Sequence, residues 1–131
     1  MPKREEINVD WPWARKFPFH SAIKVGDTVW VSGIVAWDPD GAIVGEDDML
    51  VQTRQTFANM KQVLEEAGAT MDDVVKIQAF LTDIDRYAEY SRGRSEAFTG
   101  NMPASTAVTS PKLLQDGLLV EIECVAVIGS G

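Results

Sequence analysis

Side chains that serve most metal-dependent and nucleophilic enzymes are scarce in this sequence, which has one cysteine, Cys124, and one histidine, His20, in 131 residues. A lone cysteine excludes an internal disulfide, and no Cys/His cluster of the kind that binds zinc is present. With a single histidine, a Ser-His-Asp triad has only one position around which to form. Positive charge is also short. Twelve Lys and Arg against twenty Asp and Glu leave a formal net charge of −8, with no basic run. That balance repels phosphate backbones and anionic lipid, so neither nucleic acid nor membrane is expected as a partner. No apolar run approaches the ~18 residues of a spanning helix, and the opening Met-Pro-Lys-Arg-Glu-Glu lacks the apolar core of a signal peptide. Gly-rich phosphate loops, nucleotide fingerprints and paired-metal spacings are missing as well. The expectation is a cytoplasmic protein with no cofactor and no metal.

What is present is ordinary for a globular chain. The hydrophobic fraction of 45% and charged fraction of 24% match soluble domains, and the length suits one domain. Residues 1–18, with Trp11, Pro12, Trp13 and Pro18, are expected as an extended arm, because proline disfavours helix and tryptophan seeks a surface to cover. Residues 19–131 are expected to form the domain. Ser21 to Val25 and Thr28 to Ile34 read as strands around a Gly26-Asp27 turn, with Val29, Val31 and Gly33 on one face and Trp30, Ser32 and Ile34 on the other. Met49 to Ala67 has helical periodicity in Leu50, Phe57, Met60, Leu64 and Ala67, leaving Arg54, Gln55, Asn59 and Gln62 for solvent. Asp47 or Asp48 is placed to cap its start and Gly68 its end.

Val74 to Leu81 is apolar on both faces, as a central strand is. Asp83 or Asp85 precedes a second helix over about Arg86 to Phe98. Ser105 to Thr109 and Gly117 to Ile128 complete the series as strands. The order is β-β-α-β-α-β-β, an α+β fold with both helices on one face of the sheet. The other face then lacks a cover, and self-association supplies one.

Glu121 and Glu123 are the most informative polar pair. Two apart on a strand, their Cα atoms are roughly 6.5–7 Å apart and their side chains share a face. Carboxylates on a mostly apolar strand either act as acid, base or water-positioning groups in a cleft or pair with an arginine of another element or subunit. Arg92 and Arg94 do not share a helix face; one is a candidate for such pairing or for binding an anionic ligand. His20, beside Phe19, suits packing better than catalysis, and Cys124, between Ile122 and Ala126 on the apolar face, reads as an inert core thiol. Four tryptophans line a pocket or cover a seam between subunits.

Several segments together resemble the Rid (YjgF) family of imine/enamine deaminases, also labelled endoribonuclease L-PSP. They are Val29-Trp30-Val31-Ser32-Gly33, the helix with Gln55, Asn59 and Ala67-Gly68, Leu81-Thr82-Asp83, Pro103-Ala104-Ser105-Thr106, and Leu119 to Ala126. The resemblance spans roughly Phe19 to Ile128. It implies a chorismate-mutase-like fold and a homotrimer with small-molecule clefts between subunits. In that family, deaminases hydrolyse 2-imino acids to 2-oxo acids and ammonia. Carried over by position, the water-positioning glutamate falls on Glu121, and the glycine that contacts ligand falls on Gly33, next to Ser32. The cleft tyrosine position holds Phe19, and the carboxylate-anchoring arginine is replaced by Ser105. A cysteine common two residues beyond it is Ala107.

A serine hydroxyl does not supply a guanidinium's charge or bidentate geometry. The expected substrate therefore differs from the usual 2-iminopropionate, with Phe19, Ser32, Gly33, Ser105, Ala107 and Arg92 as the candidate binding residues. The alternative is a trimeric binding or regulatory protein that keeps the cleft without the chemistry. Ribonuclease action, which the older label suggests, is opposed by the negative charge and the lack of a basic stripe.

Overall fold

The computed structural model describes residues 3–131. A six-stranded mixed sheet forms from β1 (Arg4–Ile7), β2 (Ala22–Val25), β3 (Thr28–Ile34), β4 (Val74–Leu81), β5 (Ala104–Thr109) and β6 (Val120–Val127). Its spatial order is β1-β2-β3-β6-β4-β5. All neighbours are antiparallel except β4 and β5, which run parallel. Helix α1 (Met49–Ala67) packs on β3 and β6, and α2 (Tyr87–Ala97) packs on α1. The α+β architecture is the expected one, with an added edge strand. Among the described residues, no helix is long and apolar enough to cross a membrane.

Local chemistry explains the element ends. Asp48 accepts a hydrogen bond from Val51 N at 3.0 Å and caps α1. Gly68 closes it in the left-handed conformation, at φ 85°. Strand β6 alternates as its sequence predicts. Val120, Ile122, Cys124 and Ala126 enter the core beneath the helices, while Glu121 and Glu123 point to the opposite, open face.

Three expectations need correction. The segment expected as an extended arm, 1–18, is not simply that among its described residues: Arg4–Ile7 pairs with β2, and Pro12–Lys16 forms a 3-10 turn, while Met1 and Pro2 lie outside the described residues. Pro12 sits in the first turn of that helix, where the missing N–H is no loss, and Arg4–Ile7 contains no proline to keep it from the free edge of β2. Asn59 does not face solvent. It is buried, and its Nδ2 donates to Val35 O (3.0 Å) and Trp37 O (2.8 Å). The helix there covers loop backbone with unpaired carbonyls, which an amide satisfies and an apolar side chain does not. Finally, Gly33 and Ile34 are exchanged between faces. Ile34 is buried with Val29 and Val31, and Gly33 lies on the open face.

Candidate functional site

The exchange at Gly33 arises from a β-bulge. Val31 pairs with Cys124 but Ile34 pairs with Ile122, so Ser32 and Gly33 together oppose Glu123. The bulge brings Gly33 against Glu121. A Cβ added at Gly33 would lie 2.3 Å from Glu121 Oε2 and 3.0 Å from its Cδ. Only a residue without a side chain lets the carboxyl occupy this position. Ser32 steadies the turn, donating Oγ–H to His20 O at 2.7 Å and N–H to Ser21 O at 3.0 Å.

Glu121 stands at the wall of a cavity of about 300 Å³, whose lining includes Gly33, Trp13, Phe17, Phe19 and Trp37. The aromatic wall is a packed unit. Trp13 meets Trp37 edge-on at 4.8 Å between centroids, and Phe17 and Phe19 are 5.2 Å apart. Among the described residues, Glu121 has no salt-bridge partner. Burial raises its carboxyl above the ordinary glutamate value of 4.5, and the neighbouring Glu123 charge raises it further. An unpaired carboxylate of this kind accepts a proton readily and has no cation to hold its lone pairs. Gly33→Ala is accordingly expected to leave the melting temperature within a few degrees of wild type while displacing the carboxyl. Circular dichroism would check the fold, and side-chain carboxyl NMR would register a shifted Glu121 titration.

The other candidate residues are dispersed. Phe19 is 52% exposed at the rim of this cavity, and Ser32 lines it. Ser105 and Ala107 lie on β5, beyond β4, and do not line the Glu121 cavity of the same chain. Ala107 packs against the core. Arg92 is exposed on α2, on the side of Glu96, and Arg94 rather than Arg92 reaches Ser105. His20 ties the amino-terminal strand down, with Nε2 3.3 Å from Glu6 Oε2 and Nδ1 2.9 Å from Asn8 Nδ2. Cys124 is buried, and burial followed by the Glu123 charge pushes its thiol up to about 12, far from nucleophile range. Among the described residues, no group of three His, Cys, Asp or Glu side chains is arranged to hold a metal ion.

One contributor, and the setting of a second, escaped sequence reading. Gln52, fully buried, donates from Nε2 to Gly45 O (3.0 Å) and Gly117 O (2.9 Å), and its Oε1 accepts from Leu119 N (2.8 Å). It fixes the loop that delivers the chain into β6 and Glu121. A polar side chain one to two turns before Asn59 on the same helix was the available signal. Arg94 was visible as a candidate but not its setting. Tyr87, Tyr90, Ser91 and Arg94 recur at helical spacing, which gathers them on one face of α2.

A family model described as Endoribonuclease L-PSP matches residues 13–128. A RutC family protein of Pyrococcus abyssi is 38% identical over 109 residues, covering 83% of this chain and 85% of that one. The mitochondrial protein mmf2 of Schizosaccharomyces pombe is 36% identical over 111 residues, covering 83% and 86%. Among solved structures, YyfA of Yersinia pestis, described as a protein of unknown function in the conserved Rid family, superposes with a TM-score of 0.88. That alignment has 31% identity and covers 96% of this chain and 100% of YyfA.

Proposed function

Because the chain belongs to the endoribonuclease L-PSP family, the Rid/YjgF proteins, we propose that it is a cytoplasmic imine or enamine hydrolase whose substrate carries a bulky apolar or aromatic group. The observation that carries the reading is Glu121, an unpaired and partly buried carboxylate beside an aromatic-walled cavity. Water is the nucleophile. Glu121 takes its proton as the oxygen bonds to the C=N carbon, the π pair moves to nitrogen, and the proton passes on to that nitrogen. The tetrahedral adduct, C(OH)NH2, then collapses: its hydroxyl proton passes by way of Glu121 to the amine nitrogen, the C–N bond breaks to release ammonia, and the oxygen lone pair forms the C=O of the product.

The wall of Trp13, Phe17, Phe19 and Trp37 favours a substrate that covers it. The methyl of 2-iminopropionate covers little of this surface. A neighbouring subunit completes the cleft in a homotrimer, an assembly supported by the open sheet face, where Trp30 and Val108 are 46% and 39% exposed. The net charge of −8 counts against RNA as the substrate.

The test generates imines in place from alanine, leucine and phenylalanine with an amino-acid oxidase and follows their loss by semicarbazide trapping. The phenylalanine-derived imine is expected to have a kcat/KM about 10-fold or more above the alanine-derived one. Acceleration of none of them would make the chain a binding protein instead. The carboxylate is the active form of a base, so activity falls as pH drops through the raised Glu121 pKa. The acid limb therefore lies above the ordinary glutamate range, and Glu123→Gln, which removes one cause of the elevation, is expected to move it to lower pH.

A further inference from the structure

We propose that Arg94, in the last turn of α2, forms a binding site for a carboxylate monoanion together with the hydroxyls of Tyr90, Ser91 and Ser105. The guanidinium is held in place without being neutralised. Its Nη2 lies 3.1 Å from Ser91 Oγ, and its Nη1 lies 3.3 Å from Tyr87 Oη and 3.4 Å from Ser105 Oγ. Its Cζ stands 5.4 Å from the Tyr90 ring centroid and 5.8 Å from that of Tyr87. Among the described residues, no carboxylate is within salt-bridge distance of it. In a chain with twenty acidic residues, an arginine surrounded only by hydroxyls and aromatic faces is conspicuous.

The second observation is independent of the charge. Tyr90 is fully buried, and among the described residues its hydroxyl has no hydrogen-bond partner. Its polar neighbours are Arg94 and Ser105. A buried hydroxyl left without a partner is costly and uncommon. An anion seated on Arg94 gives it an acceptor. Serine and tyrosine hydroxyls turn their hydrogens toward such an anion, so every group around the guanidinium becomes a donor. One cation balances a single negative charge and offers the planar fork that suits a carboxylate; a phosphate dianion would be left half-compensated.

The inference rests on the hydrolase reading for the ligand's identity, an imine that also bears a carboxylate. Arg94 does not line the Glu121 cavity, and the sheet order sets β5 two strands beyond β6. One small ligand touching both therefore spans two copies of the chain.

The test measures binding of benzoate and of its neutral analogue benzamide by calorimetry. The native protein is expected to favour benzoate by about 10-fold or more. Arg94→Gln is expected to abolish that preference while leaving benzamide affinity unchanged. Tyr90→Phe is expected to weaken benzoate binding several-fold while holding or raising the melting temperature, a combination that a purely structural tyrosine would not give. Equal affinity for the two probes in the native protein, or a benzoate preference that survives Arg94→Gln, overturns the proposal. If Arg94→Gln alters the oligomeric state, Tyr90→Phe decides, and unchanged benzoate affinity in that variant is the overturning result. Benzoate bound through Arg94 by a protein that hydrolyses no imine keeps this site and removes the hydrolase reading. Imine turnover without benzoate preference does the reverse.

Discussion

Glu121→Gln is expected to lower kcat for C=N hydrolysis by about 100- to 10,000-fold in a protein that remains folded. The substitution keeps the shape of the side chain and removes only its capacity to take a proton. KM is expected to change little, because the aromatic wall that binds the substrate is untouched. Stability supplies a second signature. Burial raises the Glu121 pKa above its value of 4.5 in the unfolded chain, so folding disfavours the ionised form. The resulting penalty is absent below the unfolded pKa and complete above the folded one. Glu121→Gln should therefore melt higher than wild type near pH 7, with the difference closing on acidification toward pH 4. Retention of wild-type turnover by this variant would exclude Glu121 as the base.

Gln52→Leu is the largest structural effect to be anticipated. The amide makes three hydrogen bonds, to Gly45 O, Gly117 O and Leu119 N. Leucine has a similar volume and abandons all three backbone groups. With one part-buried N–H and two carbonyls deprived of partners, the loss is on the order of 2–4 kcal/mol, or roughly 10 °C in melting temperature. Thermal denaturation checks the magnitude. Activity should fall as well, since Leu119 leads directly into β6 and Glu121 lies one residue beyond the start of that strand.

The helices and strands were legible where one periodicity governed a long segment. Met49–Ala67 and Val74–Leu81 coincide with the expected limits: in the helix apolar spacing, Asp48 and Gly68 agree, and in the strand the run is apolar on both faces. The faces of β6 followed from simple alternation, and with them the joint outward direction of Glu121 and Glu123. The remainder depends on partners distant in sequence. Asn59 has a polar side chain at a position that suits solvent in an isolated helix; only the arrival of Val35 and Trp37 carbonyls makes it a buried clamp. Arg4–Ile7 has no strong strand pattern, and its conformation comes from the free edge of β2. Arg92 and Arg94 are chemically alike in sequence, and they are separated by the helix face, which turns Arg94 to Tyr87, Ser91 and Ser105.

The extra residue in β3 has a consequence for how this sequence can diverge. Ser32 and Gly33 share a single partner position on β6, so the contact between Gly33 and Glu121 depends on how many residues the strand contains, and only secondarily on which ones. Substitutions at Phe17 or Phe19 would reshape the cavity while every core position kept its orientation. A one-residue deletion at Ser32, however conservative its neighbours, would restore strict alternation with Ile34 still facing the core, but it would remove the bulge that presses Gly33 against Glu121 and set the glycine in regular register opposite Glu123. Across descendants of this chain, variation in composition should therefore be common around the cavity, whereas a change of length between Val31 and Ile34 should coincide with loss of the site.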